Sequence, residues 1–340
     1  MKILFIGGNG NISWNCVQKA LEYGHEVYEL NRGVSIATRR AVQQGVKKII
    51  ADRNNFEEMR NRLEGCQFDV VCDFICYNEQ QAQMDVELFG GKTKQFIFIS
   101  SEAVYERVSE NGIYTEDSIR YDPELISCTY TRGKILAEDV FINAYKESGF
   151  PVTILRPGYT YDTIFPISIG HNCFTAAYRI LEGYPLLIAG DGESVRSFTH
   201  AEDFAELFVK LLGRIDTIGE TIQVMSEDCL SWNEQSEIVL KSLNIDVNNK
   251  YHVPKKDALN FDKIQSLELA KQRLYDSKFD ISKLKKYVPG WSAKISFEEG
   301  ILKTIKWLEE DKVRMRYVKY VDDALMYLYE KYGLEKVGAK

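Results

Sequence analysis

The chain opens Met1-Lys2-Ile3-Leu4-Phe5-Ile6-Gly7-Gly8-Asn9-Gly10-Asn11-Ile12-Ser13. Lys2–Ile6 reads as a short buried strand, Asn11–Tyr23 as a helix, and the glycines between them as a turn. Glycine lets a backbone approach a phosphate closely, and a helix N-terminus offers free N–H groups in a positive field. A Gly-rich turn alone is weak evidence. Here strand, turn and helix follow in the order that a dinucleotide-binding unit requires. Gly7, Gly8, Asn9, Gly10, Asn11 and Ile12 are therefore the candidate phosphate-binding residues. Ser13 stands where a third glycine is usual and is small enough for close helix–strand packing.

Outward from this stretch the alternation continues. Glu26–Leu30, Lys48–Ile50, Asp69–Cys72, Gln95–Ile99 and Val152–Leu155 read as strands. Phe56–Leu63, Glu79–Phe89 and Tyr130–Ser148 read as helices. Strands separated by helices at this spacing predict βαβ units and an α/β fold with a Rossmann-type, doubly wound parallel sheet over residues 1–157. The second half is loop-rich near 157–172 and 244–261. It predicts a smaller α/β substrate-binding lobe over 158–311, interleaved with the sheet. The segment Lys312–Leu334, within a tail of 312–340, reads as helical. Its stripe of Val318, Val321, Leu325, Leu328 and Tyr329 is expected to dock on the body or on a partner subunit.

Bulk properties narrow the function. The 340 residues suggest about two folding units at roughly 150 residues per domain, and 45% hydrophobic with 27% charged is a globular balance. A net charge of −7, with a pI near 5.4, repels a phosphate backbone, so nucleic acid is an unfavoured partner. The apolar stretches are too short for a membrane span. The N-terminus meets glycines too soon for a secretory core. Seven scattered cysteines without CxxC spacing point to reduced thiols in the cytoplasm and to no metal centre.

Further positions are placed to line a dinucleotide. An acid at Asn31, the end of the second strand, would hold both ribose hydroxyls of NAD. Asn31 is neutral, and Arg32 after it is placed to pair with a 2′-phosphate, which tilts the reading from NAD towards NADP. Stacking of Arg32 beneath the adenine, or exposure to solvent, is the alternative. Asp52, after the third strand, is placed to accept from the adenine amino group or to lie on the surface. Arg53 and Phe74 complete the candidate cofactor-binding set.

Tyr130-Thr131-Arg132-Gly133-Lys134 puts Tyr130 and Lys134 one helical turn apart on one face. A phenol of pKa about 10 is a poor base at neutral pH, and a neighbouring ammonium is expected to lower it. Ser101, in Phe98-Ile99-Ser100-Ser101-Glu102-Ala103-Val104-Tyr105, ends a strand, where sheet ligands sit. With Leu155-Arg156-Pro157, the run Gly190 to Asp203, Phe279-Asp280-Ile281-Ser282-Lys283-Leu284 and Pro289-Gly290-Trp291, these motifs resemble the extended short-chain dehydrogenase/reductases over almost the whole chain. The resemblance is to the NAD-dependent epimerase/dehydratase branch and to nucleotide-sugar 4-epimerases. It implies that Ser101, Tyr130 and Lys134 are a catalytic trio, and that flanking helices pair two copies into a homodimer. The branch includes plastid proteins that bind RNA, some members of which lack the Tyr or the Lys. This chain keeps both, which favours an enzyme over an RNA-associated binding protein.

The resemblance also suggests how a nucleotide sugar is held. Arg196 matches an arginine that grips the diphosphate, with an internal ion pair as the alternative. Asn172 matches a uridine-side asparagine. Arg273 is a second phosphate arginine or a surface charge. His200 is expected to order a loop, and Cys128 to be a core thiol. Sugar 4,6-dehydratases need an acid pair after the hydroxyl residue. Here Glu102 is followed by Ala103, so half of that apparatus is missing. Reversible hydride transfer, as in an epimerase or oxidoreductase, is the expected chemistry, with dehydration or reduction as variants and Glu102 as a further candidate catalytic residue.

Overall fold

The computed structural model describes residues 1–34, 40–107, 113–170, 173–259 and 267–337. Seven parallel strands form the main sheet. They include β1 (Lys2–Ile6), β2 (Glu26–Asn31), β3 (Lys47–Ile50), β4 (Phe68–Asp73) and β5 (Thr93–Ile99). Strands Val152–Pro157 and Thr221–Val224 complete it. The order is Thr221–Val224, Val152–Pro157, β5, β4, β1, β2, β3, and every neighbouring pair is parallel. The chain order reverses between β1 and β4, so a crevice opens there at the carboxyl ends of the strands.

The strand sequence explains the layering. Ile3 and Phe5 point to one face and Leu4 and Ile6 to the other, all fully buried. The first face is covered by α1 (Ser13–Glu22) and by helix Ala201–Phe208. The second is covered by α2 (Phe56–Leu63), α3 (Glu79–Phe89) and α4 (Thr129–Ser148). Asn55 and Asn78 cap α2 and α3 by accepting from Glu58 N and Gln81 N. Gly149 closes α4 in the left-handed conformation.

A third core lies in the C-terminal lobe, built on Tyr161, Phe165, Trp232, Val239, Phe297 and Ile301. The division at residue 157 is crossed by the sheet itself, because strand Thr221–Val224 and helix Ala201–Phe208 return to it. The tail is not one helix. A 3₁₀ turn at Lys312–Arg314 is followed by extended chain, and only Lys319–Lys331 is α-helical. The break has a local cause: Val318 N donates to Thr175 Oγ1 at 2.8 Å and Phe174 N donates to the Arg316 carbonyl at 3.1 Å, bonds that a helix would not make. Val321, Leu325, Leu328 and Tyr329 pack into the lobe's core, so the stripe docks on the body.

Candidate functional site

The Gly-rich turn sits at the head of the crevice. Gly7 takes φ +79°, and a Cβ there would lie 2.6 Å from Ile75. A Cβ on Gly8 would meet the Glu29 and Val17 side chains at 2.9 and 3.0 Å, so the loop presses on β2 and α1. The Ser13 hydroxyl donates to the Gly7 carbonyl at 2.7 Å and accepts from Gly10 N at 2.8 Å. Ser13 thus braces the turn, and α1 begins there rather than at Asn11. Asn9 keeps a buried Oδ1 with no hydrogen-bond partner among the described residues. Asn11 is spent on the second lobe: it donates to the Thr160 carbonyl at 3.0 Å and accepts from Thr163 N at 2.9 Å. Ile12 packs on the core beneath.

Ser101, Tyr130 and Lys134 meet where β4 and β5 end. Lys134 is 2% exposed, and its Nζ donates to the carbonyls of Cys76, after β4, at 2.8 Å and Ile99, on β5, at 2.6 Å. It lies 5.9 Å from the Tyr130 ring centre and 4.8 Å from that of Tyr77. Tyr130 and Tyr77 are 39% and 45% exposed with ring centres 6.3 Å apart, so they line the open crevice. Crowding around its hydroxyl pushes the Tyr130 phenol up to about 12, and a hydrogen bond with Ser101 draws it back only in part. Burial pushes Lys134 down to about 8. The expected lowering of the phenol by the ammonium is therefore corrected: desolvation around the hydroxyl raises it, and the group that draws it down is Ser101.

Three residues outside the candidate site set support this group. Gly133 lies where α4 crosses the loop after β4, and a Cβ there would sit 1.9 Å from the Tyr77 carbonyl oxygen. Glu138, one turn beyond Lys134, binds Ser100 Oγ at 2.6 Å and Arg156 through both carboxylate oxygens at 2.8 and 2.7 Å. That explains the Leu-Arg-Pro motif: Arg156 ties its strand to α4. A glycine inside a helix was a legible signal, as was the continuation of the Tyr130–Lys134 face to Glu138.

The substrate side holds more arginine than expected. The carboxylate of Glu102, 5% exposed, pairs with Arg107 and lies 3.1 Å from Arg196 Nη2. Glu102 is therefore the counter-ion of an arginine cluster, which corrects its placing as a catalytic acid. Arg196 does form the internal pair, yet its Nε, with Nε and Nη1 of Arg107, is buried without a partner among the described residues. Burial lowers Arg107, Arg196 and Arg273 to about 10 each, and the charge of Arg196 contributes to the lowering of the other two, so Arg196 stands close to both. Nothing in the sequence around Arg107 announced this place.

Other candidates lie elsewhere. Asn31 is occupied locally, donating to Glu29 at 2.7 Å and accepting from Gly33 N at 2.7 Å. Arg32 is exposed at the end of β2 and makes no hydrogen bond or ion pair among the described residues. Asp52 is half-buried and accepts from Asn54 N at 2.9 Å. Arg53 is 3% exposed and bound to Asp73 and Asp85, so its assignment to the cofactor is corrected. Phe74 stacks on Phe5 at 6.0 Å and belongs to the core, not to a cofactor wall. Asn172 lies outside the described residues. His200 caps helix Ala201–Phe208 by accepting from Glu202 N, and Cys128 is a buried thiol.

Residues 3–224 match the model of the NAD dependent epimerase/dehydratase family. Among curated relatives, the trifunctional UDP-glucose 4,6-dehydratase/UDP-4-keto-6-deoxy-D-glucose 3,5-epimerase/UDP-4-keto-L-rhamnose-reductase of Arabidopsis thaliana is 27% identical over 65% of this chain. The UDP-N-acetyl-alpha-D-glucosaminuronate decarboxylase of Bacillus cytotoxicus is 27% identical over 64% of it. The matched parts span 30% and 64% of those relatives' lengths. The structure of UDP-glucuronic acid 4-epimerase from Bacillus cereus in complex with NAD superposes with a TM-score of 0.70 at 20% identity, covering 91% of this chain and 99% of the other; the likeness is one of fold. No helix among the described residues is long and apolar enough to cross a membrane.

Proposed function

The chain belongs to the NAD-dependent epimerase/dehydratase family, and on that premise we propose that it is an enzyme of reversible hydride transfer on a nucleotide-activated sugar, an epimerase or oxidoreductase. The observation that carries the reading is the convergence of Ser101, Tyr130 and Lys134 at the strand ends beside the glycine turn.

The residues fit a dinucleotide. Gly7 and Gly8 give the close backbone approach, and Asn9 leaves a buried polar atom to be met. The nicotinamide supplies a hydride acceptor and donor. Lys134 keeps its ammonium below pH about 8 and is placed to hold the nicotinamide ribose. Tyr130 keeps its proton at neutral pH and delivers it to a carbonyl oxygen of a keto sugar; in the oxidising direction it must accept one, so that direction is favoured as pH rises towards 12. Ser101 shares the hydrogen bond. Replacing Gly10 with a bulky residue is expected to abolish dinucleotide binding, since even a Cβ would sit 3.1 Å from the bracing Ser13 hydroxyl. Unchanged affinity by calorimetry would contradict the loop's assignment. Exposed Arg32 keeps the reading tilted to NADP; a titration that prefers NAD reverses it.

Arg107 and Arg196, paired with the carboxylate of Glu102, suit a diphosphate, whose oxygens would take the Nε of both and the Nη1 of Arg107, with Arg273 adding a nearby positive charge. Glu102, held by two arginines and followed by Ala103, is poorly placed to eliminate water, which sets the dehydratase reading second. Incubation with a panel of UDP- and dTDP-sugars, followed by NMR of the products, is expected to show an epimerised or oxidised sugar. An untouched panel, or only a dehydrated product, would contradict the reading. The same proposal places the enzyme in the cytoplasm as a homodimer.

A further inference from the structure

Beneath the trio lies a buried ionic cluster that the chemistry above does not use. Asp73 ends β4, Asp85 lies on α3, and Arg53 sits on the loop after β3; both aspartates are 0% exposed. Arg53 Nη2 donates to Asp73 Oδ2 at 2.9 Å, to Asp85 Oδ2 at 2.7 Å and to the Gln81 carbonyl at 3.0 Å. Asp73 Oδ1 accepts from Ile75 N at 2.7 Å. Gln81 Oε1 accepts from Tyr77 N at 2.6 Å, and its Nε2 donates to Asn54 at 2.8 Å. Ligand-type atoms of Asp73, Cys76 and Asp85 lie within 4.8 Å of one another, but the Arg53 guanidinium already supplies the cation between the carboxylates, so the cluster is no metal site.

The cluster fixes the segment 73–78, and that segment presents the Cys76 carbonyl to Lys134 Nζ at 2.8 Å. We infer that Arg53, with Asp73 and Asp85, is a positioning device for Lys134: it sets the loop on which the ammonium is seated and the field that the ammonium feels. The inference rests on the reading of Lys134 as a cofactor-site residue. Holding a loop does not require charge, and a buried ion cluster costs desolvation that apolar packing would avoid. Charges kept this close to a buried ammonium act on it strongly, because little water screens them.

The groups that face Lys134 come from each element around it. Cys76 and Asp73, from β4 and its loop, favour its charge, as does Glu138 on α4, while Arg53 opposes it; burial dominates. Tyr77 and Tyr130 flank it with their rings. The two sides of the cluster thus pull Lys134 in opposite directions.

The test uses the full chain with isotopically labelled lysine, the Lys134 resonance being the one missing from Lys134→Met. In the wild type it is expected to titrate near pH 8. Arg53→Met is expected to move that midpoint up by about one unit and Asp73→Asn to move it down, with Arg53→Lys restoring the wild-type value in part. A merely structural cluster would loosen in both variants, hydrate the ammonium and move both midpoints up. Shifts of the same sign, or no shift, overturn the inference. If Arg53→Met fails to fold, the near-isosteric Asp73→Asn decides alone, because a midpoint that stays or rises overturns it. Titration of the wild type with NAD and NADP separates the two claims. Absence of binding together with opposite shifts would defeat the cofactor reading and leave the positioning intact.

Discussion

Replacing Tyr130 by phenylalanine is expected to lower turnover by about 10²–10⁴-fold while dinucleotide binding survives. The change removes the hydroxyl that faces Ser101 and leaves the ring, which contributes to the crevice wall beside Tyr77. Crowding around the hydroxyl holds the phenol neutral at ordinary pH, so the loss falls on the proton delivered to a carbonyl oxygen. Lys134→Met is expected to damage binding and turnover together, because the proposed ribose contact would go with the charge. The alternative is that Tyr130 is only an aromatic at the head of α4. Phenylalanine would then change stability slightly and leave activity intact. Steady-state rates beside a cofactor titration separate the two cases.

Gly133→Ala is expected to cost both stability and activity. In an open helix, alanine gains about 1 kcal/mol over glycine. Here its Cβ would lie 1.9 Å from the Tyr77 carbonyl oxygen, a rigid backbone atom. The helix must back away from the loop by about 1 Å, and overpacking of this kind costs about 1–3 kcal/mol, enough to cancel the propensity gain or exceed it. Lys134 is the next residue, so the same shift breaks its seat on the Cys76 carbonyl. A misplacement of about 1 Å costs on the order of 10²-fold in rate. Thermal unfolding and turnover measured on the same sample check both effects. A more stable and fully active variant would mean that α4 does not cross the loop this closely.

The legible parts of the site were those whose signal is local. The glycine turn, the Tyr–Lys spacing and Ser101 at a strand end each declare themselves within a few residues, and the structure places them in one crevice. The others were set by distant partners. Arg53 follows a strand at the position where a cofactor contact is plausible, but its carboxylates lie 20 and 32 residues away and draw it inward. Glu102 sits beside Ser101 in sequence, yet its partner Arg196 is 94 residues distant. Asn31 stands at a position that lines the cofactor, but Glu29, two residues before it, accepts its amide. The tail's apolar stripe was readable, but its break at Val318 depends on Thr175, 143 residues earlier. Periodicity reports which face of an element is apolar, and not which buried charge another element will supply.

Tyr130 and Lys134 are proposed to serve hydride transfer at a carbon of a nucleotide sugar. Deuterium placed on that carbon, in the substrate identified from the UDP- and dTDP-sugar panel, traces the transfer. Reduced nicotinamide is expected to form on the wild-type enzyme and carry the deuterium, with a slowed rate, and Tyr130→Phe is expected to abolish its formation while still binding the dinucleotide. Conversion of the sugar with the deuterium never reaching the nicotinamide, or transfer that persists at the wild-type rate in Tyr130→Phe, would contradict that role.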